Sequence, residues 1–302
     1  ESTVYPGATE KIFVQKLSKK FILGKNFYLC FSPERIDPGR TKNKFKVFSQ
    51  IDKLISGYTK NCLERVDGLY SKIFKRVHKC ESIKIAEMSK LYENSFRSVN
   101  IALANEFKMM ADKMNINIFS VLNAASTKPF GFTRFNPGPG VGGHCIPIDP
   151  LFLKWISKKY NFKTGFIDHS HNINLKVTKW VINKISKNLL LMNSKKILFL
   201  GATYKKDVND VRESPALKII NNFKKNKSFK VDYYDPYINK INIFDKKINS
   251  IKNLDKISSY DVVILLVDHS SLNFKKIHSN SKFIIDTRGI FYNFFSKKVL
   301  SI

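Results

Sequence analysis

The chain is organised around one stretch, Gly138-Pro139-Gly140-Val141-Gly142-Gly143-His144-Cys145-Ile146-Pro147-Ile148-Asp149-Pro150. It places four glycines and three prolines around a single cysteine. Neither glycine nor proline suits the interior of a helix or a strand, because glycine frees the backbone and proline removes an N–H donor. We therefore predict a rigid loop over residues 126–150 that presents Cys145, with Asp149 following it. A small buried thiol in a glycine-rich loop is the other interpretation, and spacing alone leaves both open.

The composition indicates a globular protein. The 302 residues are enough for two or three domains, and 43% of them are hydrophobic. The four cysteines are scattered without CxxC pairing, which disfavours a zinc site or a disulfide framework and favours a reducing compartment such as the cytoplasm. The longest aliphatic run, Val262 to Val267, is too short to span a bilayer and fits a buried strand.

The formal net charge of +29 has two explanations. One is nucleic-acid binding, and the other is a lysine-rich composition spread over solvated faces. The lysines form no single tract and no nucleic-acid motif accompanies them, so we favour the second and expect no specific nucleic-acid partner. Such a field still attracts small anionic substrates.

Hydrophobic periodicity predicts an α/β fold class. Helical and strand-like segments alternate at first, with Thr9 as a candidate N-cap. Residues 82–114 lack Gly and Pro and read as one long helix, and residues 167–192 read as a second. From Lys195 onward, strands alternate with helices, and Ser214 precedes Pro215 as the N-cap of one of them.

We expect three segments from this pattern. A partial Rossmann-like domain covers residues 1–80, and a central helical domain that carries the Cys145 loop covers residues 81–193. A Rossmann-like α/β domain covers residues 194–302.

Three groups of polar residues lie where ligands would bind. Lys90 and Asn94 share one face of the long helix, although solvated helix surfaces also look like this. Residues 205–215 lie between a strand and a helix N-terminus, which favours an anion site over an ordinary charged loop. Residues 286–289 follow a strand, at the edge where open α/β sheets bind ligands.

Together these segments resemble the UDP-sugar 6-dehydrogenase family, whose members oxidise a nucleotide sugar to a uronic acid with NAD. Each motif is weak alone, but six in this order are specific, and they cover nearly the whole chain. The segments that carry the resemblance are Ser2-Thr3-Val4, Ser32-Pro33-Glu34-Arg35, Ser89-Lys90-Leu91-Tyr92-Glu93-Asn94, Gly142-Gly143-His144-Cys145-Ile146-Pro147-Ile148-Asp149, Lys205 to Ser214, and Asp286-Thr287-Arg288-Gly289.

The resemblance implies covalent catalysis. Cys145 matches the nucleophile that forms a thiohemiacetal and then a thioester, which keeps the aldehyde bound between two oxidations. Lys90 matches the lysine that stabilises oxyanion charge, and Asn94 helps to place it or a water. Asp149 matches the aspartate that works with a water in proton transfer.

Further roles follow from the same resemblance. Glu34 matches the general base of thioester hydrolysis, and Thr3 matches a threonine that holds a water. The expected substrate contacts are Lys90, Asn94, Gly142, Lys205 and Arg288. The expected NAD contacts are Thr3, Glu34 and Arg212.

The segments at residues 32–35 and 140–145 look more like the branch that acts on UDP-N-acetylhexosamines than the UDP-glucose branch. The resemblance therefore implies UDP-N-acetylglucosamine or UDP-N-acetylmannosamine as the substrate, for surface polysaccharide precursors, with UDP-glucose as the alternative. It also implies a homodimer or a higher homo-oligomer through the central helices.

One feature departs from the family. Its members begin with a strand, a GxGxxG-like turn and a helix that hold the NAD pyrophosphate. Nothing of this kind precedes Thr3, and Gly201-Ala202-Thr203 does not replace it. We expect a fragment of a longer dehydrogenase. The alternatives are an inactive remnant that binds nucleotide sugar without turnover and a basic nucleic-acid-binding protein. The intact set of polar residues around Cys145 favours the first.

Overall fold

A computed structural model describes residues 1–35, 51–243, 246–294 and 296–302. It confirms the α/β class, with long central helices and a parallel sheet near the C-terminus. The chain forms two compact units. Unit 1 comprises Glu1–Arg97 with Ile148–Ile167, and unit 2 comprises Ser98–Pro147 with Asp168–Ile302.

Unit 1 contains a small mixed sheet. Its strands are β1 (Cys30–Phe31), β2 (Lys53–Gly57) and β3 (Val77–Lys79). The first pair is antiparallel and the second is parallel, so the sheet has the order β1-β2-β3. Its buried core is correspondingly small and consists of Phe31, Cys80, Ile83 and Ala86.

The first helical segment of unit 1 has no local cap. The π-helical turn Glu10–Val14 continues as α1 (Gln15–Leu17). The predicted cap at Thr9 is wrong, because its side chain makes no capping bond and its backbone is already helical at φ −59°. The buried carboxylate of Glu87 instead accepts the N–H groups of Gly7 at 2.5 Å and Thr9 at 2.9 Å. A distant carboxylate thus satisfies the donors that a local side chain would otherwise cap.

Among the residues that the structure describes, five further α-helices follow in the first two thirds of the chain. They are α2 (Lys60–Tyr70), α3 (Ile83–Lys113), α4 (Ile118–Ala125), α5 (Cys145–Ser157) and α6 (Gly165–Leu191). The two long helices predicted from periodicity are confirmed as α3 and α6.

The predicted loop over residues 126–150 is wrong at its end. Helix α5 begins at Cys145, so the cysteine opens a helix rather than sitting inside a loop. Pro147 is tolerated because the first-turn N–H groups have no helical partner in any case.

The sheet of unit 2 has five strands, all parallel. They are β4 (Lys196–Leu200), β5 (Lys230–Tyr234), β8 (Val262–Leu265), β9 (Ile284–Asp286) and β10 (Val299–Ser301). Their order is β10-β9-β8-β4-β5. Strands β6 (Lys240–Ile243) and β7 (Lys246–Asn249) form a separate antiparallel pair. The helices are α7 (Pro215–Lys225), with the predicted Ser214 cap confirmed, and α8 (Phe274–Asn280).

Both faces of this sheet are covered. Ile197 and Phe199 pack in one buried cluster, whereas Leu198 and Leu200 pack in another. All four residues of β8 are buried, as expected for a central parallel strand. The strand order reverses between β4 and β8, and open α/β sheets bind ligands outside the carboxyl ends of the strands at such a point.

Within the described ranges, none of the helices combines the length and the apolar character that crossing a bilayer requires.

Candidate active site

The predicted site residues divide between the two units. Unit 1 holds Thr3, Glu34, Lys90, Asn94 and Asp149. Unit 2 holds Gly142, Cys145, Lys205, Arg212 and Arg288.

In unit 1 the structure brings Asn94 and Asp149 into direct contact. The amide of Asn94 on α3 donates a hydrogen bond to Oδ2 of Asp149 on α5 at 2.5 Å. Both side chains are buried. Lys90 lies one turn before Asn94 on α3 and is half-buried. The result is a buried, oriented carboxylate, which is the form of group that can hold a water and take its proton.

Glu34 lies in an anchored segment just after β1. On one side, the Ser32 hydroxyl donates to the Leu54 carbonyl at 2.6 Å. On the other side, Arg35 pairs with Glu93 at 2.7 Å. Glu34 itself is exposed, whereas Thr3 is half-buried. The backbone around Glu34 is therefore fixed, and the residue itself lies at the surface.

In unit 2 the glycines before Cys145 lie directly on the loop between β4 and α7. The Gly143 N–H donates to the Arg212 carbonyl at 2.9 Å. A Cβ on Gly142 would lie 2.7 Å from the Glu213 carbonyl oxygen and 2.8 Å from Cβ of Tyr204, which is too close for any side chain. The loop that carries Lys205 and Arg212 thus also contacts and supports the segment that leads to Cys145.

The start of the same glycine segment is held by the buried side chain of Asn105 and the half-buried side chain of Thr178. The Gly138 N–H donates to Oδ1 of Asn105 at 3.0 Å, and the Thr178 hydroxyl donates to the Pro139 carbonyl at 2.8 Å. A side chain at Gly138 would collide with the guanidinium of Arg288. The backbone at Gly138 thus passes directly beside the tip of Arg288, a predicted substrate contact.

Cys145 is exposed at the first residue of α5, so the interpretation as a buried thiol is wrong. Helix N-termini favour negative charge because their N–H groups point outward. Arg212 forms a two-pronged pair with Asp210, with Nη2 2.7 Å from Oδ2. This pairing raises the pKa of Arg212, with a weaker contribution from Cys145. A different cysteine, Cys30, is half-buried, and burial raises the pKa of its thiol to about 11.

The loop after β9 presents Arg288. Its Nε donates to Asp268 at 2.8 Å. The buried Asp286 carboxylate accepts three backbone N–H groups, those of Arg288, Gly289 and Phe291, at 2.7–2.9 Å. Burial raises the pKa of Asp286, while these hydrogen bonds and Lys108 act in the opposite direction. This carboxylate shapes the backbone that carries Arg288.

Sequence reasoning missed Lys108, which lies on α3 and is fully buried. Its amine donates to the Thr287 carbonyl at 3.1 Å, just beside Arg288. Burial, and to a smaller extent the charge of Arg288, lower the pKa of Lys108 to about 7. Helical spacing could have indicated its burial. Lys108 lies four residues after Ala104 and three before Ala111, and it therefore shares the face of α3 on which these two buried residues lie.

The described residues of unit 1 do not fit the pyrophosphate of NAD. Strand β2 leads to α2 through Gly57, but the backbone of Leu63 occupies the space that the glycine leaves open. The Thr59 side chain accepts the Cys62 N–H, so α2 is capped by its own residue. A phosphate-binding helix N-terminus needs open donors and space for close approach. Over the same described part of the chain, no cluster of His, Cys, Asp and Glu could hold a metal ion.

Comparison with known families gives two adjacent matches. The model of the UDP-glucose/GDP-mannose dehydrogenase family, central domain, matches residues 84–176. The model of the UDP binding domain of the same family matches residues 198–293.

Individual relatives agree with these matches. The UDP-N-acetyl-D-mannosamine dehydrogenase of Methanococcus aeolicus is 38% identical over 279 residues, which is 91% of this chain and 60% of the relative. The UDP-N-acetyl-D-glucosamine 6-dehydrogenase of Salmonella typhi is 33% identical over 300 residues, 96% of this chain and 67% of the relative. The chain spans 60% and 65% of the length of the first two curated relatives it matches.

A solved structure extends the likeness to the whole fold. The UDP-D-ManNAc dehydrogenase of Pyrococcus horikoshii superposes with a TM-score of 0.83 at 32% identity, covering 100% of this chain and 71% of that one. Sequence, domain models and fold all agree, and the chain belongs to the UDP-glucose/GDP-mannose dehydrogenase family.

Proposed function

We propose that the protein oxidises the 6-hydroxyl of a UDP-N-acetylhexosamine, either UDP-N-acetylmannosamine or UDP-N-acetylglucosamine, to the uronic acid with NAD. One observation carries this proposal. The segment that ends in the exposed Cys145 rests on the β4–α7 loop, at the ligand-binding edge of the parallel sheet in unit 2. A nucleophile and a nucleotide site are thereby joined in one unit.

The first step that we assign to residues of this chain follows the first oxidation of the C6 alcohol, when the Cys145 thiolate adds to the resulting aldehyde. A carbon–sulfur bond forms, and the carbonyl electron pair moves to oxygen. Lys90 stabilises that oxygen, with Asn94 beside it. The bound intermediate cannot diffuse away, which is the advantage of a covalent route when C6 must be oxidised twice.

The last step is hydrolysis of the thioester. Water attacks the thioester carbon, the carbon–sulfur bond breaks, and the electron pair returns to Cys145 as thiolate. We assign removal of the water proton to Glu34, with Thr3 holding the water and Asp149 taking part in proton transfer. The buried hydrogen bond between Asn94 and Asp149 supports this by fixing the orientation of that carboxylate.

NAD supplies the hydride acceptor in the proposed reaction. Thr3, Glu34 and Arg212 are the contacts that we assign to it, but the described residues of unit 1 form no pyrophosphate cradle. Only steps on the substrate side are therefore derived. This same observation favours the second candidate, a protein that binds nucleotide sugar without turnover.

Titration calorimetry of the 302-residue chain separates these possibilities. UDP-N-acetylmannosamine, UDP-N-acetylglucosamine, UDP-glucose and NAD are titrated in parallel, and NADH formation is followed with each sugar. We expect an N-acetylated sugar to bind tightest, and NAD to bind at least about 100-fold more weakly because several charge-assisted hydrogen bonds are missing. Sugar binding with turnover supports the dehydrogenase. Sugar binding without turnover supports the second candidate, and no sugar binding contradicts both.

Where turnover is found, Cys145→Ala should abolish uronate formation, because neither covalent intermediate can form. Cys30→Ala is the matched control, since its thiol is half-buried, and it should retain turnover. Product analysis by mass spectrometry makes the comparison. Unchanged uronate from Cys145→Ala would remove the nucleophile assignment.

We also propose self-association through α3. Near its end this helix carries three apolar side chains at helical spacing, Leu103, Phe107 and Met110, and Met114 continues the row directly after the helix; each is about half exposed. A second copy of the chain would cover this stripe. Light scattering should report a dimer or a higher oligomer, and Phe107→Glu should give a monomer. A monomeric wild-type chain would contradict the proposal.

A further inference from the structure

A buried histidine lies at the switch point of the sheet in unit 2. His269 follows β8, Thr203 follows β4 and Asp235 follows β5, so three neighbouring strands end at one place. All three side chains are buried, with His269 at 0% exposure. None of the roles assigned above uses His269 or Asp235.

The hydrogen bonds of His269 define its protonation. Its Nδ1 accepts the backbone N–H of Asp207 at 3.0 Å. A backbone N–H can only donate, so Nδ1 carries no proton and the ring is neutral. The remaining proton lies on Nε2, which is 3.1 Å from Oδ2 of Asp235 and 3.2 Å from the Thr203 hydroxyl oxygen.

Asp235 fixes the other side of the ring. Its Oδ2 also accepts the Ala202 N–H at 2.7 Å, and its Oδ1 accepts the Tyr237 N–H at 2.8 Å. Burial acts to raise the pKa of Asp235, but the hydrogen bonds from His269 and from the backbone lower it on balance. The carboxylate therefore accepts and the imidazole donates, which holds the ring in a single tautomer.

His269 is linked by hydrogen bonds to the backbone at both Lys205 and Asp207. On one side, the Thr203 hydroxyl faces Nε2 and donates to the Lys205 carbonyl at 2.9 Å. On the other side, Nδ1 holds the N–H of Asp207, whose backbone is left-handed at φ +60°. The Asp207 carboxylate in turn accepts the Ser270 N–H at 2.8 Å. One ring thus fixes both ends of the Lys205–Asp207 backbone.

We propose that His269 is a positioning residue, whose neutral imidazole sets the Lys205–Asp207 backbone so that the Lys205 amine meets the anionic part of a uridine diphosphate ligand. The inference rests on the proposed function in taking Lys205 as a ligand contact. His269 acts through the loop and does not touch the ligand.

Two substitutions at His269 separate its two ring nitrogens. In His269→Asn the amide oxygen replaces the acceptor at Nδ1, whereas His269→Gln places its amide near Nε2 and leaves the Asp207 N–H without an acceptor. An unsatisfied buried donor costs about 1–3 kcal/mol, or about 5- to 150-fold. Calorimetry with UDP should show at least about tenfold weaker binding for His269→Gln, and recovery to within about threefold of wild type for His269→Asn.

His278→Gln is the matched control, because this other histidine of unit 2 packs against Phe291 and Phe294. It should leave UDP affinity unchanged. Equal affinities for the Gln and Asn variants at position 269, or wild-type affinity for both, would overturn the inference.

A second measurement reads the tautomer directly. Nitrogen-15 NMR of the histidine-labelled chain, with the His269 signal identified by its loss in His269→Asn, should show a bare Nδ1 and a protonated Nε2 on that ring at neutral pH. A proton on Nδ1 would overturn the assignment whatever the binding data show. If wild type does not bind UDP, the proposed function and the ligand part of this inference fail together. The NMR spectrum then still decides whether the ring is held as described.

Discussion

The mixed sheet of unit 1 and the parallel sheet of unit 2 differ in how their surrounding loops are held. Around the five parallel strands of unit 2, buried carboxylates at strand ends accept several backbone N–H groups each, as Asp235 and Asp286 do. In unit 1 the comparable buried carboxylate, Glu87, belongs to a helix and holds the start of another helical segment. The difference indicates that unit 2 holds the backbone at the carboxyl edge of its sheet with its own buried side chains.

The largest expected effect tests that difference directly. Asp286→Asn keeps only one acceptor oxygen for three backbone N–H groups, so at least one buried donor loses its partner. We expect a loss of about 3 kcal/mol in unfolding free energy and weaker UDP binding, because the Arg288 backbone is released. Urea unfolding and calorimetry measure the two effects.

Glu87→Gln is the matched control in unit 1. It should also lower stability, since it too divides two N–H groups between an oxygen and an amide, but it should leave UDP affinity unchanged. If Asp286→Asn kept full UDP affinity, the Asp286 carboxylate would not be needed to hold the ligand-binding edge of unit 2.

A second prediction compares a Gly→Ala substitution in each unit. The two substitutions should change the free energy of unfolding in opposite directions. Gly142→Ala in unit 2 places a Cβ 2.7 Å from the Glu213 carbonyl oxygen, so we expect a loss of about 2 kcal/mol. Gly68→Ala in α2 of unit 1 meets open space within a helix and should gain up to about 1 kcal/mol.

Urea unfolding measures both glycine variants. Labelling of Cys145 by a thiol reagent shows whether the segment has moved in Gly142→Ala. A stabilising Gly142→Ala would mean that the segment does not rest on the β4–α7 loop.

The smallest effect concerns pH. Lys108 has an ordinary pKa of 10.5 when unfolded and about 7 when buried, so the unfolded chain binds more protons between these values. Its contribution to stability therefore rises with pH across this window, by about 1 kcal/mol between pH 7 and pH 8. Lys108→Met should remove this increment, while Lys113→Met, at an exposed site on the same helix, should keep it. Identical pH slopes for wild type and Lys108→Met would contradict the burial of a titrating amine.

Much of the fold follows from local signals. The apolar runs of β4 and β8 are continuous because both faces are covered, and the Ser214 cap and Pro215 are adjacent in sequence. The start of α5 was missed because prolines usually end helices, whereas Pro147 falls in the first turn where its missing donor has no partner.

The site was only partly predictable for the same reason. The motif residues are local in sequence, and so the resemblance could identify them. The His269 network joins residues that lie 34 to 66 positions apart, so no window of sequence contains it. The available signal was coarse: Asp235 directly follows β5 and His269 lies four residues after β8, and the carboxyl ends of parallel strands come to the same sheet edge.

The path of the chain between the units limits how the protein can be divided into folded fragments. The chain passes from one unit to the other between residues 97 and 98, 147 and 148, and 167 and 168. Each passage falls inside a helix, in α3, α5 and α6 in turn. Proteases prefer exposed loop tips, and one cut in a loop releases neither unit because each is made of two stretches of chain. Gene fragments that end at a single boundary will therefore sever a unit rather than isolate one.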